Sequence, residues 1–169
     1  NVLKARVSIT EVPSDRWKPL DFYDPNGSPG SVAENKTYSK IGGFVRDFEF
    51  DWRRWRIPPG SLPQIDVTQL WAVAVSASAL EHAGYGEGGK EMNRALTGVV
   101  FANAVGGENR DTATLHVHVD QAIRYAQEGG MTDAESFREK WTEGLPKIDE
   151  DTMPGELANV IAGRVANLL

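Results

Sequence analysis

Apolar and small residues run almost unbroken from Leu70 to Ala83, bracketed by Asp66 with Gln69 on one side and Gly84 on the other. The brackets read as a capping box and a glycine stop, so the pattern predicts a buried helix. Its outer positions are Ala, Val and Ser rather than Lys and Glu, which predicts cover on most sides rather than along one stripe. Leu96 to Ala104 (LTGVVFANA) is a short run with β-branched and aromatic residues, the pattern of a strand buried on both faces and ended by Gly106 and Gly107. Further helices are expected from about Thr112 to Gln127 and from Asp133 to about Glu143, the second started by Thr132 or Asp133 and stopped before Gly144 and Pro146. In the last stretch, from Met153 to Leu169, Leu157, Val160, Ile161, Arg164, Val165 and Leu168 recur at helical spacing, with Pro154 in the first turn. Ala158, Ala162 and Ala166 make a second stripe that invites close approach of another backbone.

Residues 1–63 contrast with this, being rich in Trp, Phe, Gly and Pro, and they are expected to be loops pinned by aromatic side chains. Tyr23 to Ala33 is turn chemistry throughout, and Tyr38 to Phe50 alternates enough for a hairpin or extended segment bent at Gly42 and Gly43. Residues 64–169 then carry buried helix, buried strand and helix in sequence, which is α/β grammar. A lone parallel-type strand cannot make a sheet, so its partners must come from outside the chain or from weaker segments. No glycine cap, proline or polar tail follows Leu169, and the chain opens at Asn1-Val2-Leu3 without Met. These ends predict an internal piece of a larger protein.

Length and composition narrow the classes. A chain of 169 residues has room for one ordinary domain with a real core. The formal net charge of −6 argues against nucleic acid as the main partner, because phosphate binding needs clustered cations. No apolar run nears the ~20 residues a membrane span needs, and no signal-peptide pattern opens the chain, which reads as cytoplasmic. The chain has no cysteine, so it holds no disulfide, thiolate metal site or cysteine nucleophile.

Several motifs invite a functional reading. Gly84 to Lys90 (GYGEGGK) matches two phosphate-loop patterns, yet it follows a helix and leads to a strand, the reverse of the context that aims amides at a phosphate. Glu87 and Glu91 would also repel an anion there. Asp111, His116, His118 and Asp120 would suit a metal on a strand; on the predicted helix, residues two apart point opposite ways, and the histidines read as packed or solvated. Trp52 to Arg56 (WRRWR) is an amphipathic turn, its tryptophans three apart and entering the core while Arg53, Arg54 and Arg56 stay wet. An anionic partner surface is the alternative reading. Asp149, Glu150 and Asp151 precede the last helix and favour its positive end; nothing in their spacing selects a paired-carboxylate site over capping.

Taken in order, these segments resemble the N-terminal half of a β-ketoacyl synthase domain of the type I polyketide and polyunsaturated fatty acid synthase group. Ser8 to Trp17 resembles the loop after that domain's first helix, and Asp21 to Pro25 with Lys36 to Phe44 the segment that follows. Phe50 to Pro59 resembles the lead to the next helix. Asp66 to Tyr85 is similar to the Asp-Pro-Gln-Gln helix, with Val67 in place of the usual proline and a close match at Ala79 to Gly84. Thr97 to Gly107 resembles the strand and glycine turn below the acyl pocket. Gly144 to Leu169 is the most specific match, similar to the polyunsaturated fatty acid and enediyne synthases.

The resemblance implies a partial thiolase-like α/β fold over residues 1–169, lacking the first strand and the nucleophile region, in a homodimer. It implies a decarboxylative Claisen condensation of acyl and malonyl-type thioesters, with phosphopantetheine carried by an acyl carrier protein partner and no cofactor or metal bound by the chain. The family's catalytic cysteine and two histidines lie outside these residues; His82, His116 and His118 do not correspond to them. By the same resemblance, Val105 beside Gly106 would approach the acyl chain, while Thr152, Met153 and Glu156 would approach the pocket of the other subunit. The arginines of WRRWR depart from relatives with neutral or acidic residues there, which makes them a candidate carrier-protein contact. A non-catalytic chain-length or scaffold partner, with another residue at the nucleophile position, is the alternative.

Overall fold

The computed structural model describes residues 2–103 and 107–169, which leaves Val105 outside the described residues. Two compact units divide the chain, Asn1–Glu49 and Phe50–Leu169. In the first, β1 (Ile9–Glu11) pairs antiparallel with β2 (Ile41–Gly43), Thr10 standing opposite Gly42. Gly42 and Gly43 therefore lie within a strand rather than at a hairpin bend, and the partner of β2 comes from the start of the chain. The Lys40 ammonium holds Glu11 at 2.9 Å across this ladder. Between the strands runs a four-residue helix, α1 (Pro19–Phe22), whose Phe22 ring meets Trp17 edge-on at 5.8 Å.

The second unit opens with a tight turn. Ile57 donates its amide to the Trp52 carbonyl and Arg56 donates to that of Arg53, the two bonds of a Schellman-type closure. Arg56 sits at the left-handed position with φ 52°, where glycine is the usual occupant and an L-side chain costs about 1–2 kcal/mol. As expected from the spacing, Trp52 and Trp55 are half-buried while all three arginines are exposed.

A 3₁₀ segment, Pro59–Gln64, leads into α2 (Val67–His82), the longest helix. Asp66 caps it by accepting from the Thr68 amide. The capping box is not completed, because the Gln69 side chain bonds elsewhere. Leu70, Ala72, Val73 and Ala77 are buried, whereas Val75 is 66% exposed, so α2 buries one face rather than most of its circumference. Beyond α2, GYGEGGK turns inward on itself, with Lys90 donating its amide to the Gly84 carbonyl, and no α-helix starts directly from it.

The expected strand does not form as far as Asn103. After a 3₁₀ turn at Arg94–Leu96 the chain is irregular, with Leu96 and Val100 85% and 95% exposed. A strand buried on both faces needs a neighbour at each edge, and among the described residues β1 with β2 is the only ladder.

Helices fill the rest of the unit: α3 (Glu108–Val117), α4 (Val119–Glu128) and α5 (Ala134–Thr142). The expected Thr112–Gln127 helix thus starts earlier, with Glu108 and Asp111 favouring its positive end, and breaks in two at His118. His118 donates its amide to Thr114 and accepts from Ala122, closing one helix and opening the next between two β-branched valines. Asp133 caps α5 through the Ser136 amide, and Ser136 holds its carboxyl below the usual carboxylate value.

The last stretch also splits, into α6 (Thr152–Glu156) and α7 (Val160–Leu168). Ile161 and Val165 of α7 pack on Ala72 and Val73 of α2, with Phe50, Trp55, Val99, Leu168 and Leu169 around them. Since Ile161 is only 3% exposed, Ile161→Ala is expected to cost about 2–5 kcal/mol, read as a lowered urea midpoint with unchanged slope.

Candidate functional site

Polar side chains inside an apolar helix are informative only when their partners are known, and Gln69 has four. Buried to 1% exposure, it donates Nε2 to the carbonyls of Pro154 (2.9 Å), Gly155 (2.7 Å) and Leu157 (3.3 Å). Its Oε1 accepts from Arg164 Nε at 2.7 Å. These bonds explain the break between α6 and α7. In a continuous helix the Pro154 and Gly155 carbonyls would accept from amides four residues on; Gln69 takes them instead.

Two neighbours complete the clamp. Asp66, 2% exposed, accepts from the Thr68 amide and hydroxyl at 2.9 and 2.5 Å and from the Asn109 amide at 3.2 Å. Its own amide donates to the Gly155 carbonyl at 3.0 Å. Gln64 donates to the Lys147 carbonyl at 2.8 Å and accepts from the Thr152 hydroxyl at 3.0 Å. Gly155 lies so close to this segment that a Cβ there would overlap the Gln64 carbonyl. Burial pulls the Arg164 guanidinium below its ordinary pKa, with Asp151 pulling the other way.

The expected site residues fall on and around this clamp. Thr152, Met153 and Glu156 all lie on α6, and they do different things there. Thr152 is committed to Gln64 and accepts from the Asp149 amide at 2.9 Å. Met153 is 61% exposed. Glu156 is half-buried, with its Oε2 enclosed and unpartnered among the described residues. Asp149 and Asp151 are tied to each other through the Asp151 amide rather than poised as a facing carboxylate pair. His118 bonds Gln121 at 3.1 Å, and the described residues contain no group of three His, Cys, Asp or Glu placed to hold a metal. Sequence reading missed Gln64, Gln69 and Arg164 as one unit. The signal was Gln69 itself, a polar residue on the buried face of a small-residue helix.

This clamp joins Gly144 to Leu169, the stretch of most specific resemblance, to the helix that opens at Asp66. Over residues 1–169 the sequence matches the family model for the β-ketoacyl synthase N-terminal domain. The chain belongs to the β-ketoacyl synthase family. Ketosynthases of this family have the thiolase-like architecture, and the described residues contribute mostly helix to it, with little sheet.

Similar proteins point the same way. The chain is 26% identical over 163 residues, 94% of its length, to a polyunsaturated fatty acid synthase polypeptide of a Thraustochytrium species, covering 6% of that protein. It is 35% identical over 158 residues, 89% of its length, to a phenolphthiocerol synthesis type I polyketide synthase of Mycobacterium marinum, covering 7% of it. A polyketide synthase of Burkholderia thailandensis, ThaG, is 37% identical over 86 residues, 50% of this chain and 2% of ThaG. The ketosynthase chain therefore spans a small fraction of these relatives. No helix among its described residues is long and apolar enough to cross a membrane.

Replacing Gln69 by Met keeps its volume and removes all four hydrogen bonds. The expected loss is about 2–4 kcal/mol, measured by urea unfolding. A double-mutant cycle with Arg164→Met should return a coupling of about 0.5–3 kcal/mol, whereas additivity would show that the Gln69–Arg164 bond contributes nothing.

Proposed function

We propose that the chain is part of a ketosynthase that performs a decarboxylative Claisen condensation in polyketide or fatty acid biosynthesis. The match of the family model along all 169 residues carries this reading, and the names of the relatives support it. The substrates are acyl and malonyl-type thioesters delivered on the phosphopantetheine arm of an acyl carrier protein, and the working unit is a homodimer. The chain contributes scaffold, dimer surface and part of the acyl pocket, through Val105 and the Thr152, Met153 and Glu156 segment.

Nucleophilic acyl transfer in this chemistry needs a thiolate, and the chain has no cysteine. The nucleophile is then supplied by residues beyond these 169. Incubated with an acyl N-acetylcysteamine thioester, the 169-residue chain is expected to show no mass increase. The synthase that contains it should gain one acyl group per subunit, blocked by prior iodoacetamide. Covalent acylation of the chain alone would sink the assignment, and a synthase that never acylates would favour the non-catalytic partner.

Carrier docking is proposed to use Arg53 and Arg54. Both are exposed, Arg53 over the Trp52 ring at 5.0 Å and Arg54 over that of Trp55 at 4.7 Å, with Arg54 also paired to Glu81. Charge reversal at both is expected to weaken carrier affinity about tenfold at low salt and less at high salt. Unchanged affinity would remove this surface from the proposal.

A further inference from the structure

A hollow of about 260 Å³ lies between the Trp52–Ile57 turn and α7, with Trp55, Arg56, Ser61, Asp151, Arg164 and Asn167 in its wall. That volume is below the roughly 300–1,000 Å³ of sites that enclose whole drug-sized ligands, so it suits a single functional group. Arg56, Arg164 and Asp151 all line it, two cationic residues and one anionic, a formal net charge of one positive. Asp151 forms no ion pair with either arginine among the described residues.

Both arginines are available. Arg164 spends its Nε on Gln69 and has no other hydrogen-bond partner among the described residues. Burial disfavours its charged form, Asp151 offsets part of that penalty, and a further anion beside it would offset more. No hydrogen bond from the Arg56 side chain occurs among the described residues, and Arg56 occupies the left-handed position of a turn that glycine would close without strain. A cation kept at the rim of a hollow at the expense of stability is the kind of outlier from which function is inferred. Guanidinium forks match the paired oxygens of an oxyanion.

We propose that this hollow binds a singly charged oxyanion, a phosphodiester or a carboxylate, between Arg56 and Arg164. The site stands independently of the condensation chemistry and of carrier docking on Arg53 and Arg54.

The test titrates dimethyl phosphate and sodium acetate separately into the full chain at constant ionic strength held with chloride. The Arg164 Nε–H and Trp55 indole resonances report binding. Saturable shifts are expected; dimethyl phosphate saturating first assigns a phosphodiester, and acetate saturating first assigns a carboxylate. Arg56→Gly should weaken binding at least fivefold while raising the melting temperature by roughly 2–4 °C, since it relieves the turn. Arg56→Gln should lose the binding without the gain in melting temperature. Shifts that stay linear and equal those of chloride, or binding unchanged in Arg56→Gly, would overturn the site.

Discussion

The Gln69 amide fastens the start of α2 to the approach of α7 because three carbonyls and one guanidinium converge on it, 85 to 95 residues away in sequence. Each such bond contributes only about 0.5–1.5 kcal/mol net, less than a buried Ile161 or Val165. Direction is what the bonds add. Apolar burial is non-directional, so Ala72, Val73, Ile161 and Val165 bring the two helices together without choosing a register. Gln69 chooses it, since its amide bonds the carbonyls of 154, 155 and 157 in the arrangement that packs Ile161 and Val165 with Val73. Gly155 enforces the same choice sterically, by leaving no room for a side chain beside the Gln64 backbone.

Much of this was legible in the sequence where a local rule suffices. The Asp66 cap, the helix after it, the Asp133 cap and the half-buried tryptophans of WRRWR follow from short spacings. GYGEGGK follows α2 as its spacing predicts, whereas the strand expected after it does not form within the described residues. The failures were of another kind. Leu96 to Asn103 has the composition of a buried strand, but composition does not supply the neighbouring strands that make one. Gln69 was read as half of a capping box because it stands three residues after Asp66; its true partners lie beyond any local window. His118 looked like one more residue of a long helix, and the valines on either side were the only sign of a joint.

Family membership had the strongest support from the order of many weak matches along the chain, not from a single motif. The residue-level site was less legible. Of the four positions taken from resemblance, Thr152 proves to be bonded to Gln64, Met153 lies open, Glu156 holds an enclosed oxygen, and Val105 lies outside the described residues. The three that the structure describes share a place on one short helix whose position the Gln69 clamp sets. A substrate role for any of them would therefore depend on Gln69 and Gln64, which hold this helix in place.

The span of that clamp also sets an order of events during folding. Joining residues about 90 positions apart costs roughly 4 kcal/mol of chain entropy beyond a constant, before any contact repays it. Neighbours such as α4 and α5, linked by the short Gly129 to Asp133 turn and tied by Arg138 to Asp120, close far smaller loops. Small loops therefore favour α4 meeting α5 before the Gln69 amide meets its carbonyls, and the register of α7 on α2 is set only when that last, distant contact forms.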